Sequence, residues 1–118
     1  MHRATYTEIL EDSSTDARDR EREAIERSIE LLNSARASGV GSRQAVDALH
    51  YLDRLWSLLL DDLAHAENRL PKELRASLIS IGIWILREIE DIRNERTKSF
   101  AGLIDISEII CKGLGRAA

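Results

Sequence analysis

Histidine, cysteine and carboxylate side chains are the residues of this sequence that could carry out chemistry, and their spacing predicts no active site. His2, His50 and His65 are scattered, with no acidic or sulfur neighbour at ligand spacing, whereas a zinc site needs three or four converging ligands. Asp61 and Asp62 are adjacent, so on a helix they point about 100° apart and do not form a general acid–base pair. We therefore expect no catalytic residue, no metal and no cofactor, and we expect that the protein is not an enzyme.

Cys111 and the glycines Gly39 and Gly41 do not change this expectation. Cys111 is the one cysteine, so it cannot form an internal disulfide, which fits a reducing compartment. It lies beside Ile110 on the predicted inner face of a helix, where a thiol is a small inert hydrophobic group rather than a nucleophile. The two glycines lack the preceding strand and the following Gly-Lys-Ser/Thr of a phosphate-binding loop.

The composition predicts one soluble helical domain over residues 1–118. Charged residues make up 32% of the chain and hydrophobic residues 43%, with a single proline and a net charge of −4. No segment is strongly basic, which makes direct binding of nucleic acid a poor expectation. The first residues, MHRATYTEILEDS, lack the apolar stretch of a secretory signal, so we expect a cytoplasmic protein.

The segment 70–96 predicts the helix around which the rest is organised. Pro71 suits the first helical position and Glu73 the positive end of the helix dipole, so we predict a helix over 71–96. Its apolar run is less than half of the ~20 residues that a membrane crossing needs, so no membrane insertion is expected. Two apolar stripes follow this helix, one of Leu74, Leu78, Ile81, Ile85, Ile89 and Ile92, the other of Ala76, Ile79, Ile83 and Leu86. Because both stripes need cover, we predict the central helix of a bundle.

Three further helices are predicted, at 16–37, 43–66 and 100–114, with Ser28, Trp56 and Ser107 on their inner faces. Residues 1–12 form a short N-terminal arm, either a flexible one or a single turn docked through Tyr6, Ile9 and Leu10. The linkers are short. The fold class is therefore all-α, a largely antiparallel bundle of four helices with a short N-terminal arm or turn.

Some apolar side chains exceed the needs of such a bundle. Either the fourth helix or the N-terminal arm covers them, as for ordinary boundary residues, or they form a groove that receives an amphipathic helix of a partner. These candidate partner-binding residues are Tyr51, Leu55, Leu58, Trp84, Ile106 and Ile109.

Nearly the whole chain resembles the alphaproteobacterial FlaF family of flagellar biosynthesis regulators. The matching stretches are Tyr6–Glu23, Ala45–Leu63, Leu70–Glu90 and Phe100–Ile110. The resemblance implies a small cytoplasmic protein that is needed for flagellin production and export, as a flagellin chaperone or secretion facilitator. It also implies action alongside FlbT, which restrains flagellin synthesis. It supplies no catalytic motif and no individual binding residue.

Three hypotheses follow. The favoured one is that flagellin, through an amphipathic helical segment, binds in a groove around the second to fourth helices. In the alternative, the chain regulates flagellin expression after transcription, through an FlbT-like partner or flagellin mRNA. The net negative charge of the chain favours action through the protein partner over direct binding to mRNA. In the third, the extra apolar rows bury against a second copy, so the expected state is a monomer or a weak homo-oligomer.

Overall fold

The computed structural model describes the backbone of residues 3–116 and the side chains of residues 17–113. Within this part of the chain there are four α-helices and no strand: α1 (Arg3–Ser38), α2 (Arg43–Ala64), α3 (Lys72–Arg93) and α4 (Ala101–Arg116). The all-α, largely antiparallel bundle of four helices is therefore confirmed. His2 and the side chains of Tyr6, Ile9 and Leu10 lie outside the described part.

The start of α1 differs from the prediction. The helix begins at Arg3 and includes residues 3–12 of the predicted arm, rather than starting near Asp16. Ser13–Asp16 consists of residue types favoured at helix N-caps, which is why a helix start was predicted there, but serine, threonine and aspartate inside a helix cost at most about 0.7 kcal/mol each relative to alanine. A few such residues do not end a helix, so α1 continues through them.

Local caps set the other ends close to their predicted positions. Gly39, with φ of 101°, lets the chain leave α1 in the left-handed region that favours glycine. The Ser42 hydroxyl then caps α2 by accepting a hydrogen bond from the Ala45 backbone N–H at 3.1 Å. Pro71 occupies the N-cap of α3, one position before its predicted place. α4 begins after Ser99, whose hydroxyl accepts from the Ala101 N–H at 3.2 Å.

The bundle is joined by three extended helix–helix contacts. Within the described residues α1 packs against α2 and α4, and α2 packs against α3. One core runs through all four helices and contains Leu32, Ala35, Ala45, Ala48, Leu49, Leu52, Trp56, Ile85, Ile89, Ile92, Phe100, Leu103 and Ile104.

The prediction that the third helix is central is wrong, because α3 has an extended contact with α2 alone. The end of its first stripe, Ile85 to Ile92, is buried, but Leu74 at the start of that stripe is 47% exposed. Ile83 of the second stripe is 42% exposed. α3 lies at one end of this series of contacts, next to α2 alone, so it buries one stripe and leaves much of the other in solvent.

α2 and α3 pack closely at the centre of their interface, and polar contacts join them at both ends. At its centre Gly82 has no side chain, and a Cβ there would lie 2.7 Å from Leu60 Cδ2 and 3.0 Å from Trp56 Cε3. At one end Arg75 Nε donates to the Leu63 carbonyl at 2.6 Å. At the other end Arg93 pairs with Asp53 at 2.8 Å. The three contacts fix the antiparallel pairing of α2 and α3.

Two serines lie where the sequence predicted them, on the inner faces of α1 and α4, and both are buried. The Ser28 hydroxyl donates to the Ile25 carbonyl at 2.6 Å, whereas Ser107 Oγ has no hydrogen-bond partner among the described residues. A buried hydroxyl without a partner costs about 1–3 kcal/mol.

We expect Ser107→Ala to raise the free energy of unfolding by about 1 kcal/mol, because the substitution removes an unsatisfied polar group. Ser28→Ala is the matched control: it has the same gain in helix propensity but loses a formed hydrogen bond. Urea unfolding of both variants measures the difference. The explanation fails if Ser107→Ala is no more stable than Ser28→Ala.

Glu21 gives the α1–α2 interface a pH dependence. Burial raises the pKa of Glu21, and the nearby Asp62 carboxylate raises that pKa further, against the opposing effect of Arg18 and Arg20. A carboxyl with a raised pKa in the folded state stabilises the fold at low pH and loses this contribution as the pH rises through the folded pKa.

We therefore expect Glu21→Gln to be more stable than the wild type at pH 7, by less than about 1 kcal/mol because the group is half-exposed and screened. Below about pH 4 both forms are neutral, so the difference should vanish. Thermal unfolding at pH 4 and pH 7 checks both parts. A larger gain at pH 4 than at pH 7 would contradict the assignment.

Candidate partner-binding surface

The candidate residues of α2 lie on the side of that helix away from α3. Leu55 packs against the core and Tyr51 is half-buried, while Leu58 is 62% exposed. Asp53 and Leu60 mark the side that contacts α3. At 100° per residue, all three candidates point roughly 140–180° away from these two residues. The structure therefore does not bring them into one groove with α3.

The other three candidates lie around one contact between α3 and α4. The ring of Trp84 lies against Gly102, where a Cβ would be 3.0 Å from Cη2. Gly102, Ile106 and Ile109 follow one another at i, i+4 and i+7, so they share a face of α4. Trp84 is 43% exposed and Ile109 64% exposed, and Ile106 packs partly against the core. This face of α4 is thus a half-covered apolar surface.

α3 continues this surface on its own side. Leu74, Ser77, Ile81 and Trp84 are spaced at i, i+3, i+7 and i+10, which places them along one side of the helix. Ile81 packs partly against the core, and Leu74 and Ser77 are exposed. We call the surface formed by Leu74, Ile81 and Trp84 of α3 and by Ile106 and Ile109 of α4 the α3–α4 seam.

The seam is an open side of the bundle. In the described part of the chain, α3 and α4 have no extended contact. Leu74 and Ile81 were missed as candidates because the sequence placed them in a stripe that was expected to be covered.

A second concave feature lies on another side of α3, at its C-terminal half. It is an open cleft of about 470 Å³ lined by Ile83, Leu86, Arg87, Glu90, Asp91 and Arg96. Its acidic groups are paired within the chain, Asp91 with Arg96 at 2.9 Å and Glu90 with Arg93 at 2.8 Å. With an apolar floor of only two residues and a largely neutralised rim, this cleft offers less apolar surface than the seam.

The groups that could carry out chemistry remain apart in the structure. Cys111 is half-buried, and burial, followed by the Glu26 carboxylate 3.9 Å from its sulfur, raises the pKa of the thiol. A raised pKa lowers the thiolate fraction and with it the nucleophilicity. His50 and His65 are exposed, and His65 Nδ1 accepts from the Glu67 N–H at 3.2 Å. Among the described residues no group of three or more His, Cys, Asp or Glu is placed to hold a metal ion.

The fold and the seam define a small all-α bundle with one uncovered apolar side. Within residues 3–116, no helix combines the length and the apolar character that a membrane crossing requires. The family model of flagellar protein FlaF matches residues 2–114. The chain therefore belongs to the FlaF family of flagellar proteins, and the resemblance seen in its sequence is confirmed. No curated protein and no solved structure matches the chain.

Proposed function

We propose that this FlaF-family chain is a flagellar biosynthesis regulator that binds flagellin in the cytoplasm, as a chaperone and secretion facilitator. In this role it promotes flagellin synthesis and export. It acts by binding rather than by catalysis. Membership of a flagellar family supports the setting, and the open apolar side of the bundle supports the mode of action.

The observation that carries the proposal is the exposure of large apolar side chains along the seam. Leu74, Trp84 and Ile109 are all exposed, and they belong to two helices that do not cover each other. Contiguous exposed apolar surface of this kind marks protein-binding sites. A tryptophan at such a surface is the residue type most enriched among those that dominate binding energy.

The shape of the seam suits a helical ligand. An amphipathic helix laid between α3 and α4 would present anchors at i, i+3, i+4 and i+7 to the apolar residues of both. It would complete the bundle as a further helix. Burying one large apolar side chain contributes about 1.5–3 kcal/mol, so a few anchors offset the cost of association. While its helix is held here, flagellin cannot use that helix to polymerise.

Purified flagellin monomer and the purified chain test the proposal. Calorimetric titration should show saturable binding, and a stoichiometric amount of the chain should delay filament growth followed by light scattering. A helical protein of similar size and charge serves as the control. The proposal is wrong if flagellin gives no binding heat and polymerises at an unchanged rate.

A further inference from the structure

Two carboxylates beside the seam have no partner among the described side chains. Glu88 is half-buried and lies one turn after Trp84, on the side of α3 that faces α4. Asp105 is exposed, next to Ile106 and one turn before Ile109. Within residues 17–113, neither makes an ion pair or a hydrogen bond. Each of the two helices of the seam thus carries one such carboxylate.

Three other carboxylates of α2 and α3 form ion pairs within the chain. On α3, Glu90 pairs with Arg93 and Asp91 with Arg96. On α2, Asp53 pairs with the same Arg93. These three carboxylates are therefore neutralised within the chain, whereas Glu88, on the side of α3 that faces α4, has no partner among the described side chains.

Two cations lie near the seam. Lys112 is exposed and lies one turn after Ile109. Arg87 follows Trp84 by three residues and lines the separate cleft on α3. Within the described side chains, neither forms an ion pair with Glu88 or Asp105.

Docking of an apolar segment would take water away from both carboxylates. A half-buried ionised carboxylate that loses its remaining water without gaining a partner is costly. A segment with cationic side chains at these positions would instead form ion pairs as it docks. Complementary charges at the edge of an interface also select the partner and speed its association.

We propose that the occupant of the seam is a basic amphipathic helix, whose apolar stripe is flanked by lysine or arginine side chains that pair with Glu88 and Asp105. This inference rests on the proposed function, because it specifies which flagellin segment the seam accepts. The two carboxylates set the direction and the position of the helix between α3 and α4.

Charge reversal tests the inference with flagellin monomer as the probe. Glu88→Lys and Asp105→Lys should each weaken binding about 5-fold at low salt, since each converts an attraction into a repulsion at a partly exposed site. Asp61→Lys makes the same charge change at an exposed position on α2, and its affinity should stay within about 2-fold of the wild type. The affinity of the wild type should fall between 50 and 500 mM NaCl, and that of the double variant should rise, because salt screens an attraction in the first and a repulsion in the second.

The outcomes separate this inference from the proposed function. If the wild type binds flagellin and Ile109→Asp abolishes binding, while Glu88→Lys and Asp105→Lys bind as the wild type with an unchanged salt dependence, the charge assignment is wrong and the function stands. Tighter binding by the reversed variants also overturns it. If the wild type binds no flagellin, both fail together. A concentration-dependent dimer that is lost in Ile109→Asp would assign the seam to a second copy and overturn the inference.

Discussion

Ile109→Asp is expected to weaken flagellin binding by at least about 30-fold while leaving the fold intact. Ile109 is 64% exposed on α4, so aspartate there stays hydrated in the free protein. On docking, its carboxylate would enter an apolar interface without a partner, and changes at such central positions cost about 2 kcal/mol or more. Calorimetric titration against flagellin monomer measures the loss.

Leu58→Asp is the matched control for this prediction. Leu58 is 62% exposed, almost the same as Ile109, but it lies on the side of α2 away from α3. Its substitution should leave flagellin affinity within about 2-fold of the wild type, and neither variant should change the free energy of unfolding by more than about 0.5 kcal/mol. Equal losses in the two variants would place the binding surface elsewhere.

Gly82→Leu is expected to lower the free energy of unfolding by up to about 2 kcal/mol. The Cβ position of Gly82 is already within 2.7 Å of Leu60 and 3.0 Å of the buried Trp56 ring. Leu60 can shift, but the ring is fixed by the core, so a large side chain must separate α2 from α3. Overpacking of this kind costs about 1–3 kcal/mol, which exceeds the roughly 1 kcal/mol that glycine replacement adds to helix propensity.

Gly113→Leu provides the comparison, because nothing lies within 4 Å of the Cβ position there. This variant should be as stable as the wild type or slightly more stable. Urea unfolding of both variants gives the difference. If Gly82→Leu is as stable as Gly113→Leu, then α2 and α3 are not in close contact at this point.

Apolar periodicity in the sequence predicted the parts of the fold that depend on local patterns. It placed Trp56, Ser28 and Ser107 on inner faces, and all three are buried. Ser42, a residue type favoured at helix N-caps, lies directly before the predicted start of α2 and caps it. These features depend on residues within one or two turns of each other, so the local sequence pattern is enough to predict them.

The neighbours of each helix could not be predicted in the same way. Periodicity shows that α3 has two apolar stripes but not that α2 alone makes an extended contact with it. The contact of Trp84 with Gly102 joins residues in different helices and depends on how the loop before α4 returns the chain. The sequence therefore identified Trp84, Ile106 and Ile109 only as individual candidates. The fold shows that these three residues border one surface. It also shows that Tyr51, Leu55 and Leu58 lie apart from that surface.

Site-specific photocrosslinking tests the central claim, that flagellin occupies the α3–α4 seam. A photoreactive amino acid would replace Ser77, an exposed residue of α3 in line with Leu74 and Trp84, or Arg54, an exposed residue of α2 one turn from Leu58. With flagellin monomer, the account predicts a crosslink from position 77 that excess unlabelled chain competes away, and little from position 54. A crosslink from position 54 and none from position 77 would contradict it.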